Sequence, residues 1–205
     1  MARLRSGDHE TVQDAVDTLV RAGAISRDFA LPEAEAAYAV FLEGGLSAIE
    51  LRCFLDRELP EWLDQLDPLI APAVRNAEGL SAREYLARVA RLDSLEHAAS
   101  PHLDAVDVIA SPTLCLTPPP MSDVADADSH LRVNRRIVRN TAWVNYLRLC
   151  TITMPVGRDR AGMPVGLQLA APANAEEKLL TIALMAERVL GTAADRLGTP
   201  PLLAS

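Results

Sequence analysis

Lys178 is the only lysine in the 205-residue chain, and beside its ten serines it is the natural place to seek a nucleophile and its base. A serine attacks a carbonyl only with a base in hydrogen-bond reach and backbone donors waiting for the oxyanion. None of the serines stands in Gly-x-Ser-x-Gly or Gly-Gly-Ser-Ser. Lys178 follows Glu176-Glu177, a setting that predicts a solvated ammonium, whereas a lysine base needs burial or a cationic neighbour to lower its pKa. Ser111, ahead of Pro112, is either a pocket residue at a strand end or a turn serine bonding local backbone. Cys150 reads as a small buried hydrophobe, since none of His9, His97, His102 and His130 is tied to it by sequence. His97 and His102 with Asp104 and Asp107 offer nitrogen and oxygen ligands. Their five-residue spacing and the break at Pro101 favour a surface loop over a metal site. Arg132, Arg135, Arg136 and Arg139 share one helix and either clamp a carboxylate or phosphate or, more simply, pair with the acidic 123–128 segment. No catalytic residue, metal ligand or cofactor is expected within this chain.

Composition narrows the class. The chain is 49% hydrophobic with a formal charge of -8, enough to bury a core and the wrong sign for nucleic acid. Cys53, Cys115 and Cys150 are odd in number and widely spaced, which argues against disulfides and for a reducing cytoplasm. No signal-like leader and no apolar run of about 18 residues is present, so neither secretion nor a membrane span is expected.

The elements that must position these groups follow from periodicity. Val12, Ala15, Val16, Leu19 and Val20 form one helical face, capped by Asp8 or Thr11 and ended by Gly23. Residues 24–31 alternate weakly, as a short strand would. Pro32 opens a second helix to Leu42, and residues 46–99 are helical, with Ser81 and Glu84 forming a capping box. The helix it opens carries Tyr85, Leu86, Val89, Leu92 and Leu95 on one stripe. Val106–Ala110 is a strand ending at Pro112. Pro118–Pro120 and the run Ser122–Ser129 predict a flexible loop over 118–130 that is neither helix interior nor central strand. A helix from about Leu131 to Leu147 leads into an antiparallel hairpin, Cys150–Val156 with Val165–Ala170, and an amphipathic helix over 175–190. A polar tail with Pro200-Pro201 closes the chain. The pattern implies one α/β domain or lobe over 1–205, with a mixed sheet of few strands flanked by helices, and four or five strands are few enough to suggest an incomplete sheet.

Three motifs are specific: Asp107-Val-Ile-Ala-Ser-Pro-Thr113, then Asn140-Thr141 with Asn145, then Met154-Pro-Val-Gly157 followed by Gly162-Met-Pro-Val-Gly-Leu-Gln168. In this order they resemble the C-terminal portion of the amidase signature family, serine hydrolases of carboxamides. The resemblance is strong after residue 105 and looser before it, where Val12–Ala24, Leu66–Pro68 and Ser81–Ala90 match. It implies a partial amidase-like fold with a C-terminal hairpin and closing helix. It also implies a pocket half in which Thr113, Thr141 and Asn145 bind substrate, neutral groups suited to a carboxamide's donor and acceptor. Asn145 reads equally as a backbone bonder in the helix–strand connection, and Gln168 as a structural one. The family's serine–serine–lysine core has no counterpart here. Trp143 stands where proline is frequent and Arg148 where glycine is common, which puts the substrate in question.

Two functions follow as expectations. The chain is a lobe of an amidase that hydrolyses carbon–nitrogen bonds, inactive alone and completed by an N-terminal half that brings the small amide substrate into place. The alternative is a non-catalytic binding or scaffold module derived from one. Either predicts an exposed apolar face that drives homo- or hetero-oligomer formation.

Overall fold

The computed structural model describes residues 7–198. Five helices come first: α1 (Gly7–Arg21), α2 (Pro32–Leu42), α3 (Ser47–Glu58), α4 (Ala71–Asn76) and α5 (Ala82–Leu103). Strand β1 (Ile109–Pro112) leads to α6 (Ala127–Ile137) and α7 (Arg139–Tyr146). The hairpin β2 (Cys150–Arg158) and β3 (Pro164–Ala171) follows, then α8 (Glu176–Leu190) and α9 (Ala193–Leu197). The sheet has the order β1-β3-β2. This is the expected α/β fold of few strands flanked by helices, with its C-terminal hairpin and closing helix. Both pairings are antiparallel where a mixed sheet was expected.

Alternation along the strands divides the sheet into two faces. Met154, Val156, Val165, Leu167, Leu169 and Ala171 project to one side and pack against Val12 and Ala15 of α1 and Leu179, Ala183, Ala186 and Leu190 of α8. The opposite side carries Ser111, Gly166, Gln168, Thr151 and Thr153. A second core joins α2, α5 and α7 through Val40, Leu92, Ala99, Leu103 and Leu147. Among the described residues no helix is long and apolar enough to cross a membrane.

Local signals end several elements as expected. The Ser81 hydroxyl accepts from the Glu84 amide at 3.2 Å while Glu84 accepts from the Ser81 amide at 3.0 Å. Other expectations need correcting. Residues 24–31 form no strand, and Ile25 is 98% exposed. A strand exists only where a partner takes its backbone groups, and no sheet edge meets this segment. The segment is instead tethered by Arg27, which donates to the Ala105 carbonyl. Helix α1 already includes Asp8 and Thr11, so neither is its cap; the Thr11 hydroxyl reaches the Arg158 carbonyl at 3.4 Å. Leu86 lies off the buried stripe of α5 at 64% exposure, and Pro101 does not break that helix. The strand expected at 106–110 is shifted to 109–112, because Ile109 to Pro112 are the residues in register with β3. Proline is tolerable there since β1 is an edge strand.

The helix expected from Leu131 begins at Ala127, inside the run predicted to exclude helix. Asp126 explains the difference: its carboxylate accepts from the amides of Asp128 and Ser129 at 3.0 and 2.9 Å. Small acidic residues are what a helix N-terminus selects. That helix is also two, since the chain kinks at Val138 (ψ 0°) between α6 and α7. The tail holds α9, opened by a Thr192–Asp195 capping box, while Pro200-Pro201 lie outside the described residues.

Candidate functional site

Register builds the site. Ser111 on β1, Gln168 on β3 and Thr153 on β2 stand directly opposite one another, a polar row across the face away from α1 and α8. Gln168 is only 2% exposed, so its amide must find partners within the protein. Its Nε2 donates to the Asn140 carbonyl at 3.2 Å and to the Ser111 hydroxyl at 3.4 Å. Asn140 Nδ2 in turn donates to the Pro112 carbonyl at 2.7 Å. The start of α7 is thereby pinned to the end of β1, which brings Thr141 and Thr113 to neighbouring parts of the fold.

Thr113 continues the β1–β3 pairing, its amide donating to the Gly166 carbonyl at 2.9 Å. Its hydroxyl donates to the Thr153 hydroxyl at 3.2 Å. This contact crosses over Gly166, where a Cβ would fall 2.7 Å from Thr113 Oγ1 and 2.8 Å from Thr153 Cγ2. Glycine is therefore a steric requirement of the site. Thr141 uses its hydroxyl on the Val138 carbonyl at 3.2 Å, back-bonding into the kink between helices. Asn145 is exposed, and its side chain makes no hydrogen bond among the described residues. The structure thus links Thr113 to the polar row, engages Thr141 locally and leaves the Asn145 carboxamide open. Thr153 escaped the sequence reading, although the alternation of Thr151 and Thr153 with Ile152 and Met154 marks a polar strand face.

The remaining chemical groups are engaged elsewhere. Lys178 Nζ sits 2.9 Å from Asp107 Oδ1, with 51% of the lysine side chain and 82% of the aspartate exposed. The bond from Lys178, and then its charge, hold the Asp107 carboxyl below its ordinary pKa. The signature aspartate and the only lysine are thus surface partners, and among the described residues no serine hydroxyl is bonded to that ammonium. Cys150 Sγ donates to the Pro172 carbonyl at 3.2 Å and Cys115 Sγ to the Arg136 carbonyl at 2.7 Å. His97 Nδ1 lies 2.7 Å from the Asp93 carbonyl and His102 Nδ1 3.7 Å from Glu33. No group of three metal-ligating side chains gathers among the described residues. The arginines of α6 and α7 form no ion pair with 123–128 there; the charge of Arg132 acts on Asp126 as the smallest of the influences lowering its pKa.

Trp143 and Arg148 serve packing. Trp143 lies against the second core. Arg148 follows α7 at φ 53°, where its amide bonds the Asn145 carbonyl at 3.1 Å and the Leu149 amide bonds Val144 at 2.9 Å. This Schellman geometry favours glycine. The guanidinium is held by Asp93 at 2.6 Å and Glu96 at 2.5 Å on α5.

Strands, clasped helices and polar row together make an α/β arrangement in which a small antiparallel sheet is flanked by helices. Residues 1–180 match the family model described as Amidase, and the chain belongs to that family. It is 41% identical over 191 residues to the 2-amino-5-chloromuconic acid deaminase of Comamonas testosteroni, covering 93% of this chain and 41% of that protein. A fatty acid amide hydrolase of Oryza sativa subsp. indica is 33% identical over 138 residues, 60% of this chain and 23% of its own. Kluyveromyces lactis allophanate hydrolase superposes with a TM-score of 0.79 at 21% identity, covering 92% of this chain and 31% of that one. A 6-aminohexanoate cyclic dimer hydrolase complexed with substrate gives 0.74 at 21%, covering 94% and 43%. These two likenesses establish the fold alone. The chain spans less than half the length of these relatives.

Proposed function

We propose that this chain is the substrate-lining C-terminal lobe of an amidase-type hydrolase of carbon–nitrogen bonds, and that it turns over no substrate alone. One observation carries this reading. Thr113 and Thr153 join their hydroxyls at 3.2 Å on the sheet face away from α1 and α8, and the exposed Asn145 carboxamide makes no hydrogen bond among the described residues, while the only lysine is committed to Asp107. A hydroxyl and a carboxamide both donate and accept, which suits a substrate presenting N–H and C=O together. In this reading Thr113, Thr141 and Asn145 orient the substrate, and the nucleophile and base come from another segment of polypeptide. The 41% identical relative acts, by its name, on an amino-substituted acid, so 2-amino-5-chloromuconic acid is the first substrate to test. Three free thiols support a reducing compartment, and the cytoplasm is the location proposed.

The test is ammonia release from a simple carboxamide and from 2-amino-5-chloromuconic acid. The chain alone is expected to release none above buffer. Combined with the complementary part of an amidase it is expected to do so, with Thr113→Val and Asn145→Ala each raising KM about 3- to 10-fold for one lost neutral hydrogen bond. Turnover by the chain alone, abolished by a serine-directed phosphonate, would refute the proposal.

A further inference from the structure

Arg132, Arg135, Arg136 and Arg139 crowd the junction of α6 and α7. In a chain of formal charge -8 acids are plentiful, and other arginines meet them: Arg148 pairs with Asp93 and Glu96, and Arg52 with Asp56 and Glu78. Among the described residues none of the four junction guanidiniums makes an ion pair or donates a hydrogen bond. The helix dipole accounts for Arg135 and Arg136, which lie in the last turn of α6, where a helix favours cations. It does not account for Arg139. That residue opens α7, the end that disfavours a cation and favours an anion, and no side chain caps it.

The backbone beneath these side chains is fixed from two directions. The Tyr38 hydroxyl on α2 donates to the Arg135 carbonyl at 2.6 Å, and the Cys115 thiol donates to the Arg136 carbonyl at 2.7 Å. Cys115 stands two residues beyond Thr113, on the segment that leaves β1. Arg139 precedes Asn140, whose carboxamide donates to the Pro112 carbonyl just before Thr113. The cationic junction is thus tied to the chain on both sides of Thr113. Burial raises the Tyr38 hydroxyl above its ordinary pKa, while the charges of Arg139 and Arg135 oppose that rise, so both act near one point. Cations held in place without a counter-charge are preorganised for an anion.

We propose that Arg135 and Arg139 bind a carboxylate of the substrate, so that the carbon–nitrogen compounds taken up beside Thr113 are anionic ones. The inference rests on the hydrolase reading and names its substrate class. Thr113, Thr141 and Asn145 address the uncharged end of the substrate, and the arginines address the charged end. A guanidinium presents a planar fork of donors that matches the two oxygens of a carboxylate. A neutral amide leaves both cations uncompensated, so the same residues discriminate against it.

The test uses the 205-residue chain with succinamate and succinamide, probes of one length that differ in a carboxylate. Binding is followed through the arginine Nε–H signals in proton–nitrogen correlation spectra. Succinamate at millimolar concentration is expected to shift the Arg135 and Arg139 signals, and succinamide to leave them in place. Arg135→Gln and Arg139→Gln should each weaken succinamate about tenfold, the loss of one charge-assisted hydrogen bond. Arg75→Gln, on α4, should leave binding within about twofold, since a distant exposed charge is screened. Far-UV circular dichroism checks folding, and Arg139→Lys, which keeps the charge and loses the fork, serves where Arg139→Gln does not fold. The inference is overturned if neither probe moves the arginine signals, if both move them alike, or if the glutamine variants bind as the unaltered chain does. Tighter binding of inorganic phosphate than of succinamate overturns it too, as does loss of succinamate binding once the complementary part of an amidase is added. Ammonia release from that combination separates the two proposals. Arginine-dependent succinamate binding without turnover upholds the anion site and sinks the hydrolase reading. Equal turnover of both probes, untouched by Arg139→Gln, does the reverse.

Discussion

Replacing Gly166 by alanine tests the geometry of the candidate site more sharply than removing any of its polar groups. The new Cβ would lie 2.7 Å from Thr113 Oγ1 and 2.8 Å from Thr153 Cγ2, with Thr113 Cβ behind at 3.2 Å. Relief requires separations more than half an ångström larger. Neither threonine can swing away, because β-branched side chains are stiff at χ1 and both belong to strands paired with β3. Overpacking of this kind costs about 1–3 kcal/mol. Glycine within a strand is itself unfavourable by about 0.5–1 kcal/mol relative to alanine, so the sign depends on the neighbours. In the Thr113→Ala, Thr153→Ser background both nearest atoms are gone, and Gly166→Ala is expected to become neutral or slightly stabilising. Urea unfolding followed by circular dichroism measures this as a change in midpoint at constant slope. A stabilising Gly166→Ala in the unaltered chain, or a cost that persists in the double variant, refutes the argument that the Thr113–Thr153 contact excludes a side chain at 166.

Arg148 gives a second test. A non-glycine residue in the left-handed region costs about 1–2 kcal/mol, and exposed ion pairs such as those to Asp93 and Glu96 recover about 0–1 kcal/mol each. Arg148→Gly is therefore expected near wild-type stability and Arg148→Ala about 1 kcal/mol below Arg148→Gly, read from the same urea midpoints. A third test uses pH. The Thr117 hydroxyl, bonded to Asp159 at 2.7 Å, and amides of the hairpin turn hold this carboxyl below its ordinary value of 3.8. A depressed folded pKa contributes stability that is present above that value and lost as pH falls through the folded pKa. Melting temperature should thus drop on acidification below about pH 4, and less steeply in Asp159→Asn; equal slopes would show that the Thr117–Asp159 link does not contribute.

How much was legible in the sequence depended on the range of the forces involved. The Ser81 capping box, the start of α2 at Pro32 and the hairpin around Gly162 rest on interactions within a few residues, so spacing alone revealed them. Residues 24–31 show the limit: their alternation resembles a strand, but pairing is a property of a neighbour, and none is present. The acidic run before α6 misled because Asp and Ser oppose helix interiors and favour helix starts, and only position distinguishes the two. The kink at Val138, the Arg148 turn and the Lys178–Asp107 bond likewise left no periodic trace.

For function the division follows the same physics. The sequence by itself determined the family and the motif residues, since Asp107 to Thr113 and Gly162 to Gln168 are local strings in a specific order. Only the tertiary structure decided what those residues do. Strand register brought Ser111, Gln168 and Thr153 into one row, Asn140 clasped α7 to β1, and Lys178 turned to a surface carboxylate. It also showed that Leu180 and Leu184 of α8 stay more than half exposed among the described residues. A hydrophobic pattern specifies that a helix face seeks cover, but only the packed arrangement of the other elements reveals whether the chain supplies it.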